Sequence, residues 1–565
     1  MEILDISNLS LENIKLLNSI SNNIKRDFNA LTEELLNSTD KSIDWLINST
    51  ISRNPYWSDI YLNICYLALI KQLLRENKAI EKVIIPNSEL KKVLIDYLKR
   101  NKIGIKVISN QSLKKNIKNK MRPFYNFLVS IYRFILMWMS RDKRRKENIP
   151  ADHEITLIDT FFISSMFKNG KYSDRYYNGL LEYLTDDEKR RIYFVPSILV
   201  KTGFKKIMRI AEKSDENFLF KEDYLKLSDY FFALVSPFRI RRINFNKFKF
   251  KEFNIGPILQ RDFRCHIFAS ALSILNYRFF RRLKENKVKL GLVVDWFENQ
   301  PIDHAFNKGI KEFYPETYSI GYQGFIDSTD YNFYMQPTKY ETENSIVPNA
   351  IAVVGNGLKK QTKRFDSTLN VIAAPAFRFK SVWDLKEIRK TKDKKIVLIA
   401  LPIAMKESID ILELVVSAVK MGKYDNIKFQ IKPHPVLDIN KLKSEFGNLP
   451  NNFEFIEGDF KDCVAKTTMV LGNASSTCME TLAIGIPVII IGSQSGLTQN
   501  PIPENVNKDI WRICYTPEEL SDEINHFLNI SNEERDNLGK IGEEIRSLYF
   551  EPVTREGVRK FLRLQ

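Results

Sequence analysis

The chain has 565 residues, enough for two or three domains that each bury a core. Hydrophobic residues make up 44% and charged residues 27%, which excludes wholesale disorder and collagen-like or low-complexity structure. Lys and Arg number 86 against 69 acids, a formal charge of +17, so an anionic partner is expected: nucleic acid, an anionic membrane face or a phosphorylated small molecule.

Residues 1–80 carry a helical period with turn signals such as SRNPYWSD at 52–59. The opening MEILDISNLSLENIKLL has no apolar core of signal length, so no export signal is expected. From Lys82, KVIIP (a strand), SELKKVLIDYLKR (an amphipathic helix) and GIKVIS (a strand) make a β-α-β alternation. Residues 113–146 interrupt it with eleven Lys or Arg and one acid, Asp142, so this stretch holds ten of the seventeen excess charges. Between its basic flanks, Pro123–Met139 is rich in Phe, Tyr, Ile, Leu, Met and Trp. A spanning helix wants about 20 apolar residues and no central charge, and Arg133 sits inside this one. A helix lying in the interface of an anionic membrane fits better; an amphipathic helix packed on its own domain is the alternative. The alternation resumes with strands at Glu154–Phe162 and Arg191–Leu199 around a helix expected over Tyr176–Thr185. Residues 202–288 read as mostly helical, Lys289–Glu298 is a strand with a polar end, and SIGYQGF and AIAVVGNG are two further strand-to-loop units. Basic groups at 239–251 and 278–289 carry no helix-turn-helix, zinc-finger or RNP signature, so nucleic acid is not expected as a partner.

A second alternation follows a charged linker, Lys386–Lys395: KIVLIALP, a helix, IKFQIKPHP, FEFIEG, TTMVLGNASS, the helix TCMETLAIG and PVIIIG. The expected fold is α/β: an N-terminal helical region (1–80), a Rossmann-like domain (81–385) with the basic insertion 113–146, and a second Rossmann-like domain (386–565), both doubly wound and facing a cleft. Five scattered cysteines without a C-x-x-C pair give the reduced pattern of a cytosolic protein. No two of the five histidines have metal-ligand spacing.

The strongest local signal is GNASSTCMETLAIGIPVIIIG, Gly472–Gly492. A buried strand delivers a small-residue loop to a helix N-terminus, where free N–H groups and the positive helix end attract a phosphate. Ser475, Ser476 and Thr477 sit at that start, and Glu480 lies one turn in, within reach of a sugar hydroxyl. A capping box of Thr477 with Glu480 is the purely structural alternative. The second signal is IKPHP, where two prolines stiffen the turn around Lys432 and His434 at a strand end.

A K-P-H-P strand end followed by S-S-T-x-x-E and G-I-P-V-I resembles the nucleotide half of GT-B glycosyltransferases, most closely those using CMP-activated acidic sugars: bacterial sialyl-, polysialyl- and Kdo-type transferases. DWFENQPIDHAFNKG (295–309), GYQGF (321–325), NFYMQPTKYE (332–341) and APAFRF (374–379) are similar to a group of bacterial surface-carbohydrate biosynthesis proteins, so the likeness runs from about residue 80 to 500. The resemblance implies that His434, Pro435, Ser475, Ser476 and Thr477 hold CMP; Lys432, at the same strand end, is expected to help neutralise its phosphate. It also implies a carboxylate in the first domain that takes the acceptor's proton or acts as nucleophile. Glu298 is the first choice, because Trp296 and Phe297 beside it raise its pKa by desolvation; Asp295 and Asp303 follow, with Asp303 also placed to cap a helix starting at His304. Related families often show Glu-Asp-Gly where this chain has Glu298-Asn299-Gln300. Gln323, in a turn permitted by Gly321 and Gly324, reaches donor or acceptor, and Arg378 either pairs with a carboxylate or phosphate or lies in a surface linker.

No D-x-D pair occurs, so no metal and no cofactor beyond the nucleotide-sugar donor is expected. The implied function is transfer of a sugar, from a CMP-activated ulosonic acid, to a glycan or lipid-linked glycan acceptor, by an enzyme held at the cytoplasmic face of the inner membrane through 113–146. The nearest alternative is a CDP-glycerol or CDP-ribitol phosphotransferase of teichoic-like polymers. Such enzymes carry a second His motif where this chain has GYQGF, without His. A non-catalytic scaffold of a polysaccharide assembly complex is the third.

Overall fold

The computed structural model describes residues 2–564 apart from 77–79, 143, 146–152, 168–169, 201–202, 329, 386–394 and 495, and the side chains of 113–116. The expected linker, Lys386–Lys395, thus lies almost wholly outside the described residues, as do Lys143 and Lys146 of the basic insertion.

Among the described residues three sheets are parallel throughout. The first joins β1 (Glu2–Asp5), β2 (Ile80–Ile85) and β3 (Lys106–Ser109) in the order β1-β2-β3. The alternation places β2 and β3 in the large sheet of the first domain; they pair instead with a strand at the N-terminal end of the chain, where helix alone is expected. The second sheet contains β4 (Ile155–Phe162) and β5 (Ile192–Ile198). After a small antiparallel hairpin, β6 (Lys249–Phe250) and β7 (Phe253–Asn254), it adds β8 (Leu290–Trp296), β9 (Tyr318–Gln323), β10 (Ala350–Val353) and β11 (Val371–Ala373), in the order β11-β10-β9-β8-β4-β5. Pro196 is tolerated within β5 because β5 is an edge strand. The third sheet takes β12 (Ile396–Ala400), β13 (Lys428–Lys432), β14 (Phe453–Phe455), β15 (Met469–Gly472), β16 (Val488–Ile491) and β17 (Trp511–Cys514) in the order β14-β13-β12-β15-β16-β17. Its central strands are buried on both faces, as their unbroken Val, Ile and Leu runs require. The fold is the α/β GT-B arrangement of two Rossmann-like domains. Strand order reverses between β4 and β8 in one and between β12 and β15 in the other, and ligands in such sheets bind beyond the carboxyl ends at these reversals.

The helix expected over Tyr176–Thr185 is replaced by turns and one 3-10 turn at Leu181–Tyr183. Gly179 adopts φ 86°, and the Asp174 carboxylate accepts the N–H groups of Tyr176 (3.1 Å) and Tyr177 (2.6 Å), which fixes a bend. The bend packs both tyrosine rings on Trp296, at 4.5 and 5.9 Å.

The basic insertion forms one helix, Leu113–Met139. Ser130, Phe134 and Met137 are buried against the first domain, and Arg133 turns inward to donate to Ile198 O at 2.8 Å. Ile117, Met121, Phe124, Tyr125, Leu128, Tyr132, Ile135 and Met139 are exposed, and on a helix they fall within an arc of about 100°. Among the described residues no helix is long and apolar enough to cross a membrane.

The chain ends by returning to the first domain. After the helix Asn532–Tyr549, Glu551 N–H donates to Val354 O (2.6 Å) and Glu551 O accepts from Ala376 N–H (2.8 Å). The helix Arg555–Phe561 then sets Phe561 against Tyr322 (5.3 Å) and Phe377 (5.6 Å). A side chain at Gly355 would collide with the Tyr549 backbone, so glycine is required there.

Candidate active site at the interdomain cleft

The second domain contributes two strand ends. Lys432, which ends β13, and His434 just beyond it are half-buried, and Pro433 between them is buried; Pro435 turns out to solvent. His434 Nδ1 accepts the Val436 N–H at 3.3 Å, which leaves the ring proton on Nε2. Burial, and then Arg175, Arg378 and Lys432, pushes its pKa down to about 4, so it enters the cleft as a neutral N–H donor.

Beyond β15, Ser475 caps the helix Ser476–Ala483: its Oγ accepts the Thr477 N–H (3.3 Å) and the Thr477 hydroxyl (2.8 Å). Because the cap is Ser475, the alternative box of Thr477 with Glu480 does not form. Glu480 instead faces the arginines of the other domain; burial raises its pKa to about 7, and Arg378 and Arg175 oppose the rise. Ser476 crosses the cleft, donating to Ile326 O at 2.6 Å and accepting Ile326 N–H at 3.3 Å.

The first domain contributes Arg378, on the turn Phe377–Phe379 after β11, and Arg175, on the bend before β5. Both are half-buried, and among the described residues neither has a carboxylate within 4 Å. Both act on His434 and Glu480, and Arg378 also on Glu298 and Asp327. Arg378 is thus a cleft residue and not a surface-linker arginine. Arg175 escaped the sequence reading: it sits in an aperiodic stretch, and the basic, aromatic run DRYY is its single signal there.

Glu298 follows β8. Its Oε1 accepts the Trp296 indole N–H (3.0 Å) and its Oε2 the Gln300 amide (2.5 Å). Burial raises its pKa, whereas Trp296, Gln300 and Arg378 hold it down. Trp296 therefore works against the expected desolvation, and Phe297 packs away from the carboxyl, under Gly321. Asp303 accepts the N–H groups of Glu298 and Gln300, both at 2.9 Å. This is a capping box with Gln300, so the helix Pro301–Phe313 starts before the expected His304. Asp295 is 1% exposed and accepts the Asn307 amide at 2.6 Å. Burial, Asp303 and Asp159 drive its pKa well above the usual carboxylate range. Asp303 thus braces the Glu298 backbone, and the buried Asp295 lies close to Asp303. Asn299 holds that loop with φ 56°, a conformation asparagine tolerates; its amide donates to Tyr334 O (2.7 Å), and its carbonyl meets His304 Nε2 (3.0 Å). Behind it the buried pair Arg53–Glu341 (2.7 Å) ties the N-terminal region to the same loops.

Gln323 is 8% exposed, and its amide donates to Met335 O at 2.9 Å. Gly321 and Gly324 are required by close approach, not by turn geometry: a Cβ would lie 2.6 Å from Pro348 and 2.5 Å from Trp296, respectively. Among the described residues no cluster of His, Cys, Asp or Glu is arranged to hold a metal ion. The cleft thus sets a lysine, a neutral imidazole donor, a helix N-terminus and two guanidiniums, which have no carboxylate within 4 Å among the described residues, against Glu298, Glu480 and Asp327, three carboxyls of raised pKa.

No protein-family model matches the sequence. No curated protein matches it either. Solved structures do. S. aureus MnaA with UDP has a TM-score of 0.42 at 11% identity, over 73% of this chain and 98% of that one. UDP-GlcNAc 2-epimerase of Neisseria meningitidis bound to UDP-GlcNAc gives 0.40 at 12%, over 73% and 99%. MurG of Acinetobacter baumannii gives 0.38 at 11%, over 73% and 99%. Likenesses this distant do not extend to substrate or reaction.

Proposed function

We propose that the protein is a glycosyltransferase of surface-polysaccharide biosynthesis that takes a sugar from a CMP-activated ulosonic acid. The observation that carries this reading is the convergence of Arg175, Arg378, Lys432 and His434 on one cleft opposite Glu298. Such a donor bears two anions, a phosphate diester and a carboxylate, and two half-buried guanidiniums with no carboxylate within 4 Å among the described residues suit them. Lys432, the His434 Nε2–H and the helix N-terminus at Ser476 complete the anion site. Glu298 takes the proton of the acceptor hydroxyl as its oxygen bonds to the anomeric carbon; the bond from that carbon to the phosphate oxygen breaks, and CMP leaves on the arginines and His434. The exposed apolar stripe of Leu113–Met139, flanked by Lys118 and Lys120, supports peripheral attachment to the cytoplasmic face of the inner membrane.

A thermal-shift screen with CMP, CDP, UDP and GDP tests the donor. A nucleotide at about 100 times its Kd stabilises by about 2.7 kcal/mol. CMP is expected to shift the transition; a response to UDP or GDP without one to CMP overturns the donor class.

A further inference from the structure

Under the Leu113–Met139 helix lies a cavity of about 620 Å³, within the range of ligand sites. One wall is the helix itself, through Asn119, Lys120 and Pro123; the other is Pro237, Phe238 and the segment Phe263–Phe268. The helix is held there by Asn126, which donates to Cys265 O at 3.4 Å, and by Phe127 against Phe268 at 5.1 Å. Most of the wall is apolar, and Phe238 stands 81% exposed at the mouth. The rim is cationic. Lys120, Arg242 and Arg264 are exposed, and among the described residues none has a carboxylate within 4 Å. The acid of the lining, Glu89, lies 3.6 Å from Arg261, which also pairs with Asp59. Among the described residues the Asn119 side-chain nitrogen is buried without a partner. Arg261 and Cys265 also line a second cavity of about 170 Å³. That cavity reaches Tyr56, whose hydroxyl donates to Gln499 of the second domain at 3.0 Å.

An apolar chamber beside an exposed apolar stripe, rimmed by unneutralised cations, fits an amphiphile with one long chain and an anionic head. We infer that the cavity seats the chain of a long-chain lipid phosphate drawn from the membrane, with the phosphate on Lys120, Arg242 and Arg264. The stripe lowers the cavity mouth to the membrane surface, and the second cavity leads from the head towards the cleft. On the glycosyl-transfer reading a lipid-linked acceptor would enter by this route; the site itself does not depend on that reading.

The test uses the full chain and hexadecyl phosphate below its micelle concentration, followed by native mass spectrometry and calorimetric titration. One molecule is expected to bind, about tenfold or more tightly than hexadecanol or butyl phosphate. The triple variant Lys120→Ala, Arg242→Ala, Arg264→Ala changes exposed residues alone and is expected to keep the unfolding temperature while losing about tenfold or more in affinity. Equal binding of hexadecanol, or equal affinity of the triple variant, overturns the site. A stripe variant, Phe124→Ser with Leu128→Ser, is expected to lose flotation with phosphatidic-acid vesicles yet keep hexadecyl phosphate binding; loss of both overturns a cavity distinct from surface adsorption. Absence of a CMP shift in the same preparations sinks the donor reading and leaves the lipid site standing.

Discussion

The two Rossmann-like domains reverse their strand order in equivalent places, and the two crevices are furnished in opposite ways. Between β4 and β8 the crevice is filled: Asp159, Asp295 and Lys221 are buried, and Lys221 donates to Ser197 (2.7 Å) and Asn276 (2.8 Å). At the ends of β13 and β15, by contrast, Lys432, His434 and Ser475–Thr477 stay half-open, on small or proline-stiffened loops. A shared topology therefore supplies only a location. The first domain uses it to brace one carboxyl, Glu298, and the second leaves donors unspent for an anion.

The sharpest way to break this contrast is Glu298→Gln. If the braced crevice exists to present a base, turnover falls by about 10²–10⁴-fold while the CMP thermal shift is retained; unchanged turnover removes Glu298 from the chemistry. Next comes Arg378→Ala, alone and with Arg175→Ala. Losing a charge-assisted hydrogen bond costs about 1.5–3 kcal/mol, so the donor's apparent affinity should fall by about 10–100-fold for Arg378. The double variant should lose less than the sum if both grip one donor; strict additivity separates them. In the filled crevice, Asp295→Asn is expected to lower the unfolding temperature less than Asp295→Leu does, because burial, Asp303 and Asp159 already disfavour the charged form and asparagine keeps the carboxyl's shape. Asp295→Leu, which strands the Asn307 amide, should cost about 1–3 kcal/mol in denaturant titration. The smallest effect is expected at Glu480. Its pKa in the folded chain, about 7, lies above the ordinary value, so the folded state holds the extra proton between the two. Its contribution to stability is present at low pH and lost as pH rises through 7. Glu480→Gln should therefore narrow the gap in unfolding temperature between pH 6 and pH 8; the same gap in both proteins refutes the assignment.

Most of the sheet framework was legible because buried parallel strands are written as continuous runs: KIVLIA, FQIK, MVLG and VIII each mark a strand of the third sheet. β17, WRIC, was not, since it is short and carries Arg512. β1 hides its strand character behind Glu2 and Asp5. The small-residue loop and the K-P-H-P turn announced the second domain's half of the site, because backbone chemistry there demands those residue types. The other half depends on tertiary packing. Arg175 reaches Arg378 because Asp174 and Gly179 bend the chain where a helix was expected. The sequence ranked Glu298, Asp295 and Asp303 by their immediate neighbours, whereas hydrogen bonds within the same loop and helix commit Asp303 to the Glu298 N–H and Asp295 to the Asn307 amide.

The return of the C-terminal segment to the first domain has a consequence for biosynthesis. Tyr322 and Phe377 complete their packing on Phe561, and Val354 and Ala376 find backbone partners on Glu551. Domains ordinarily fold in the order in which the ribosome releases them. Here the domain translated first keeps an open seam until residues 551–561 have been made, so nascent chains stalled before that segment expose aromatic surface next to β9, the strand that bears Gln323.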